Sequence, residues 1–334
     1  MASIRDVAAR AGVSTATVAR VLRDSGQVSD ELTAKVRAAV RELNYVPNAV
    51  ARSLSQGRTR LLGLLVPDIS NPFFAELARG LEDAAVAAGH HVLVGSSDLD
   101  PERERQLAAA FESRTVDGVA ITASAPDATH LRKLADTGMP IVLIDRRMPG
   151  VSAPAVLTDN RDAARRAVEY LAGLGHRDIA MISGPPAFET AAERVAGFRD
   201  GCAAAGVEVR PDRLREGYLG IEGGHKAMRE ILALRDRPTA VLSFNNLIAV
   251  GALGALREDG VAVPRDLSFL TFDDMSLFPY VDPPITAIAQ PAYQMGTDAG
   301  RILLDLVDGD SGAGRDVVLK TGFYLRDSCA APPA

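Results

Sequence analysis

The sequence predicts an N-terminal all-α helix-turn-helix domain followed by an α/β core of two lobes, each built on a parallel sheet. Three observations carry this. Two short helical stretches near the start are separated by a single glycine, Gly12. From residue 61 onward, short branched apolar runs alternate with helical stretches, and the alternation runs through twice. The charge is split: residues 1–60 hold ten Lys/Arg against five Asp/Glu, and the remainder holds 27 against 38. A basic leading segment on an acidic body is the footprint of a nucleic-acid-binding module joined to a domain that avoids DNA.

Length and composition set the frame. At about 150 residues per domain, 334 residues make roughly two domains. With 47% apolar and 24% charged residues the chain is globular, with ample material for a core. No apolar run of about 18 residues is present, so no membrane-spanning helix and no membrane partner are expected. The opening residues carry Arg5, Asp6 and Arg10 without an apolar stretch between them, so a secretory leader is not expected. Cys202 and Cys329 stand far apart with no CxxC pair, which argues against a disulfide scaffold or a cysteine zinc site. The expected compartment is the cytoplasm.

Residues 3–44 read as three short helices. Ser3 with Asp6 is a capping-box-like start, and Ile4, Val7, Ala8 and Ala11 follow at helical spacing. Gly12 supplies the positive φ of a tight turn. Ser14 is placed to cap the second helix, whose inner face carries Val18, Val21 and Leu22. Ser25 and Gly26 punctuate the chain, and Ser29 is placed to cap a third helix striped by Leu32, Val36, Val40 and Leu43. Outward positions of the second helix are Thr15, Ala16, Thr17, Ala19 and Arg20. Short residues beside one arginine suit a helix lying in a major groove, because bulk would hold it off the base edges. The plainer alternative is a small three-helix packing module.

Pro47 and Asn48 stop the third helix, and residues 49–54 form a short basic helical stretch ending near Gly57. It is too short to be stable alone in water. It reads either as an interdomain linker or as a segment that orders on DNA, with Leu54 as an apolar wedge.

The core follows. Strands are predicted at 61–66, 91–95, 118–122 and 141–144, separated by helices near 73–88, 102–113 and 128–137. The theme recurs with strands at 179–182, 240–242 and 267–271 and helices near 161–174, 189–205, 222–234 and 246–259. Residues 290–308 supply a late helix, and 316–320 a last strand before a short tail. Two such lobes leave a cleft at the carboxyl ends of their strands, where ligands bind in open α/β folds.

The motifs IRDVAARAGVSTATVARVL (4–22), ELNYVPNAVARSL (42–54), LVPDISNPFFAEL (65–77), VLIDRR (142–147), NNLIAVGALGALREDG (245–260) and FDD (272–274) occur in this order and spacing. Through them the chain resembles the LacI/GalR family of bacterial transcriptional regulators over essentially its whole length. The resemblance implies a homodimer on a palindromic double-stranded DNA operator, a hinge helix in the minor groove, and a periplasmic-binding-protein-like core that takes a small effector, a sugar or sugar-like molecule. It divides the chain into 1–46 (helix-turn-helix), 47–60 (hinge) and 61–330 (core). Lobe one is about 61–158 plus 290–318, and lobe two about 159–289 plus 319–330.

By the same resemblance, Thr15 and Ala16 match base-reading positions, and Arg20 the arginine on that helix. Thr17 and Ala19 match phosphate-facing positions, the latter usually a serine. Asn48 matches the hinge start and Leu54 the wedge; Ser14, Ala51 and Arg52 complete the expected DNA-binding set. Asp68, Phe73, Phe74, Asp145, Arg194, Asn245 and Asp273 are expected to gather in the cleft as effector-binding residues. Carboxylates, an amide and a guanidinium suit paired hydroxyls, and aromatic faces suit a sugar ring. Two departures stand out: Leu219 where the family commonly has an aromatic, and Asn245-Asn246 where it usually has Asn-Asp. Asp273→Ala or Arg194→Ala is expected to leave DNA binding intact and abolish the effector response.

Enzyme readings find no support. There is no GxGxxG after an early strand, no phosphate-binding GxxxxGK[ST] loop and no GxSxG elbow. His90, His91, His130, His176 and His225 show no metal-ligand spacing, so neither cofactor nor metal is expected. Asp273 and Asp274, adjacent at a strand end, point to opposite sides and do not share chemistry. A sugar receptor without a DNA role is disfavoured by the basic leading segment. The reading is a DNA-binding transcriptional regulator acting as a repressor.

Overall fold

Ser3 opens the first helix as its spacing to Asp6 requires. The Asp6 amide donates to Ser3 Oγ at 3.3 Å and the Ser3 amide to Asp6 Oδ2 at 2.7 Å, a complete capping box. The computed structural model describes residues 2–22, 28–45, 58–124, 127–310 and 315–333, and the chain divides into two compact units, 1–59 and 60–334.

The first unit holds α1 (Ile4–Ala11), α2 (Thr15–Leu22) and α3 (Asp30–Glu42). Gly12, at φ 69°, makes the left-handed turn between the first two. Ser14 Oγ accepts from the Thr17 amide at 3.1 Å, capping α2 as expected. Ser29 corrects its expectation: it stands at the start of α3, but its side chain makes no capping bond. Asp30 and Glu31 in the first turn meet the helix dipole instead. Val7, Val18, Val21, Val36 and Ala39 form the small core. Asn48, Ala51, Arg52 and Leu54, like Ser25 and Gly26, lie outside the described residues.

In the second unit, lobe one begins with β1 (Leu61–Val66), α4 (Pro72–Ala87), β2 (His91–Ser96) and α5 (Pro101–Ala110), then β3 (Gly118–Ile121), α6 (Thr129–Asp136), β4 (Ile141–Ile144) and β5 (Ala155–Thr158). Lobe two runs through α7 (Asn160–Gly173), β6 (Ile179–Ile182), α8 (Glu189–Ala204) and β7 (Leu214–Arg215). It continues with α9 (Gly220–Leu232), β8 (Ala240–Ser243), α10 (Asn246–Glu258), β9 (Ser268–Phe272) and β10 (Thr286–Ala289). The chain then returns to lobe one with α11 (Ala292–Val307) and β11 (Val317–Leu319), and ends in lobe two with β12 (Gly322–Tyr324). The sheet orders are β11-β5-β4-β3-β1-β2 and β12-β10-β9-β8-β6-β7. All pairings are parallel except β10 with β12. Inner strands are covered on both faces, which is why they read as continuous apolar runs.

Four strands, β5, β7, β10 and β12, were not anticipated. They are two to four residues long. No α-helix separates β5 from β4 or β10 from β9, so a strand–helix rhythm passes over them. The tail is also more than an appendage. Fully buried Ser328 accepts from the Thr286 amide at 2.8 Å and donates to the Phe269 carbonyl at 2.5 Å. His176, also fully buried, lies 2.8 Å from Thr239 Oγ1 and 2.9 Å from the Ala330 carbonyl. Burial lowers its pKa, so the ring is neutral, and Nε2 donates to that carbonyl. Ser328→Ala orphans a buried amide and should cost about 1–3 kcal/mol. A urea midpoint equal to that of the parent chain would show that the tail lies outside the cooperative core.

Candidate functional site

The parallel strands bring their carboxyl ends to one cleft between the lobes. Segments following β1, β4, β8, β9 and β10 all reach it, enclosing a cavity of about 130 Å³. All seven residues expected to gather, Asp68, Phe73, Phe74, Asp145, Arg194, Asn245 and Asp273, line this cavity.

Local structure explains each placement. After β1, Asp68 turns the chain by accepting from Ser70 N at 2.8 Å and Ser70 Oγ at 2.6 Å. Asn71 caps α4 by accepting from Phe73 N at 3.0 Å. Phe73 and Phe74 then stand edge to face at 5.0 Å, on the lobe-one core with rims in the cleft. They are both core and lining.

Asp145 and Asp273 occupy equivalent places in the two lobes, one residue past β4 and one past β9. Both take left-handed backbone, φ 72° and 61°, which turns a strand end abruptly into the cleft. Asp273 Oδ1 accepts from Gln290 Nε2 at 2.7 Å, and Gln290 Oε1 in turn accepts from Thr158 Oγ1 at 2.7 Å. Burial pushes the Asp145 carboxyl above the usual carboxylate range, against the pull of Arg146 and Arg194. Burial does the same to Asp273, against Arg194 and the Gln290 hydrogen bond.

Arg194 is only 2% exposed. Its Nε donates to Asn160 Oδ1 at 2.7 Å and its Nη1 to the Phe244 carbonyl at 2.6 Å. The guanidinium lies between the rings of Phe244 and Phe272, 4.8 and 4.2 Å from their centroids. Asn245 Oδ1 caps α10 through the Ile248 amide at 2.9 Å, so its Nδ2 is the end left to a ligand.

The two departures read differently in three dimensions. Leu219 does line the cavity, and Phe188 and Phe244 line it too, but Arg146 and Arg194 each cover a face of those rings. Asn246 does not line the cavity. It is fully buried, and its Nδ2 donates to Asn71 Oδ1 at 2.9 Å, clasping lobe two to lobe one.

Sequence reasoning missed Arg146, Asn71 and Gln290 as lining residues. Arg146 sits inside the VLIDRR motif beside Asp145. Gln290 follows β10, which no α-helix separates from β9 and which the strand–helix rhythm passes over, and it carried no signal.

On α2, Ser14, Thr15, Ala16 and Arg20 are exposed, while Val18 and Val21 are buried. Thr17 and Ala19 are half-buried, with the Thr17 hydroxyl 2.9 Å from Ser14 Oγ. Among the described residues no cluster of metal ligands occurs, and no helix is long and apolar enough to cross a membrane.

A helix-turn-helix unit and a two-lobed α/β core with a polar interlobe cavity define a class, DNA-binding regulators with a periplasmic-binding-protein-like core. Comparison with known proteins gives the particular family. The pattern of the lacI family of bacterial regulatory proteins matches residues 3–48, and that of the periplasmic binding protein-like domain matches 168–329. The HTH-type transcriptional repressor CytR of Escherichia coli (strain K12) is 34% identical over 99% of this chain and 97% of its own. The lac repressor dimer bound to operator and the anti-inducer ONPF aligns with TM-score 0.88 at 28% identity, covering 99% of both chains. The transcriptional regulator CelR in complex with cellobiose aligns with TM-score 0.75 at 31% identity, covering 98% of this chain and 100% of its own. The chain belongs to the LacI family. It is a DNA-binding transcriptional regulator, and the family's members are repressors, not enzymes.

Proposed function

We propose that the protein is a cytoplasmic, homodimeric repressor whose cleft takes a single sugar-like ring and thereby controls binding to a palindromic operator. The observation that carries the effector reading is the convergence of Asp145, Asp273, Arg194 and Asn245 with Phe73 and Phe74 on one cavity. Its 130 Å³ is ring-sized, since an apolar cavity of about 150 Å³ holds a benzene. The carboxylates would accept from ring hydroxyls, Asn245 Nδ2 and Arg194 would donate, and the phenylalanines would face the ring. The cellobiose complex of CelR supports the sugar class. The operator-bound lac repressor dimer supports the DNA role.

Uncovered apolar residues favour dimerisation. Leu93 and Val94 are exposed on β2, the edge strand of the first sheet, and Ile221, Leu277 and Tyr280 on lobe two. In the dimer, Thr15, Ala16 and Arg20 of each copy would read a half-site, with Ser14 and Thr17 on its phosphates. Residues 47–60, with Asn48, Ala51, Arg52 and Leu54, would form the hinge that widens the minor groove. An effector that changes the spacing of the lobes biases that marginal hinge.

Selection of duplexes from a random pool by the purified chain tests this. A palindrome enriched by ligand-free protein makes the effector an inducer; one enriched only with metabolite extract makes it a corepressor. No enrichment under either condition overturns the repressor reading.

The raised carboxyls give a pH prediction. Sugar hydroxyls favour ionised carboxylates, and burial makes Asp145 and Asp273 take up protons at higher pH than ordinary carboxyls. Within that raised range the free protein holds protons that the complex releases. Effector affinity should rise with pH and fall on acidification towards that raised range. Calorimetry in buffers of different ionisation enthalpy should show the released proton, and affinity that strengthens on acidification would refute the assignment.

A further inference from the structure

Two asparagines from opposite lobes meet where the lobes touch. Asn246 Nδ2 donates to Asn71 Oδ1 at 2.9 Å, and the two residues are 0% and 5% exposed. A second bond fixes each amide. Asn71 Oδ1 also accepts from the Phe73 amide at 3.0 Å, at the start of α4. Asn246 Oδ1 accepts from the Leu247 amide at 2.8 Å, at the start of α10. These second bonds set the polarity of the first. Turning either side-chain amide over would put its NH2 group against a backbone N–H, so Asn246 is the donor and Asn71 the acceptor.

Position gives this bond leverage. The chain crosses between the lobes after β5, after β10 and between β11 and β12, and these strands lie at one edge of their sheets. Asn71 follows β1 and Asn246 follows β8, strands further in from that edge. A hinge opening at the crossovers therefore pulls the clasp apart. Arg147 and Glu189 also pair across the lobes, at 3.2 Å, but their side chains are 47% and 30% exposed. An ion pair so open to water contributes little. The bond between the two asparagines is buried, where competing water does not weaken it.

We infer that Asn71 and Asn246 form an interlobe latch built from protein alone, with Asn246 as its specific donor. Both partners are side chains of this chain, so the latch is made with or without an effector. It depends on asparagine at position 246, because an ionised aspartate, the residue the family usually carries there, offers no donor. Parting of the lobes, and with it passage into the cavity that Asn71 and Asn245 line, has to break this bond.

Amide hydrogen exchange of the full chain, read in the lobe opposite the substitution, tests the latch. Asn246→Asp keeps the side-chain shape and sets an acceptor against an acceptor. Asn246→Leu, of similar shape, removes the donor even where an introduced carboxyl would hold a proton. Both should speed exchange of the lobe-one segment 67–77 about tenfold or more, as the loss of one buried hydrogen bond implies. Asn71→Asp is the same chemical change on the other partner, and it keeps both the acceptor and the cap of α4. It should leave the lobe-two segment 245–250 within about twofold of the parent rate, or slow it. Both positions lie at a helix N-terminus, so the dipole favours a carboxylate at either and does not produce the difference. Parent-like exchange in β9 identifies a folded variant. Segment 67–77 at the parent rate in both Asn246 variants, or equal acceleration by Asn71→Asp, would overturn the latch.

Discussion

Gly251→Ala should lower the stability of the core by about 3 kcal/mol, at the upper end for overpacking and an unusually large effect for one added methyl. Gly251 lies where α10 crosses α9, and a Cβ built on it would overlap the Ile221 carbonyl oxygen. The contact is reciprocal, since a Cβ on Gly224 of α9 would overlap the Ile248 carbonyl of α10. The obstacles are backbone atoms, so no rotamer relieves them; the helices must separate, opening the packing around Met228, Ile231 and Ala252. Gly254, one turn on, is the internal control. Its added Cβ would meet only His225 at 3.9 Å. Gly254→Ala should therefore be neutral or stabilising by up to about 1 kcal/mol, the ordinary gain of alanine in a helix. Urea midpoints of the two variants decide it, and equal midpoints would sink the close-crossing account. The same device recurs on lobe one, where Gly80 of α4 faces the Tyr293 carbonyl and Gly296 of α11 the Leu77 carbonyl.

Asp273→Asn should weaken the effector by about 10- to 100-fold while leaving operator affinity unchanged. Asparagine tolerates the left-handed backbone at this position and keeps the side-chain shape. What it removes is a charged acceptor, worth about 1.5–3 kcal/mol to a ligand hydroxyl. Calorimetry and operator titration on one preparation separate the two effects, and an unchanged effector affinity would remove Asp273 from the contact set. Arg194→Ala is the poorer probe. It would strand Asn160 Oδ1 and the Phe244 carbonyl and empty the space between Phe244 and Phe272. Breaking such a buried charged network costs about 3–5 kcal/mol. A lost response in that variant would not separate a damaged lobe two from a missing ligand contact.

The helix-turn-helix was legible because its signals are local. The Ser3–Asp6 box, the Gly12 turn and the Ser14 cap each act within three or four residues, and each forms in the structure. Ser29 failed because a serine before a helix has alternatives to capping that spacing does not reveal. The buried strands were legible because parallel sheets demand continuous apolar runs. The strands that escaped, such as β5 and β10, follow the preceding strand with no α-helix between, so the strand–helix rhythm passes over them.

The sequence by itself determined the alternation that makes two parallel sheets, and it placed aspartates one residue past β4 and β9. The family resemblance named the seven cleft residues; of these Asp68, Asp145, Asn245 and Asp273 follow strand carboxyl ends, whereas Phe73, Phe74 and Arg194 lie on helices. Only the tertiary structure decided what each side chain does there. It turned Asn246 away from the cavity into an interlobe clasp with Asn71. It tied Arg194 into lobe two, brought Gln290 onto Asp273, and set Arg146 on Phe188. Hydrogen bonds and ring contacts of this kind join residues tens to hundreds of positions apart. No periodicity encodes them, and they exist only once both lobes have packed.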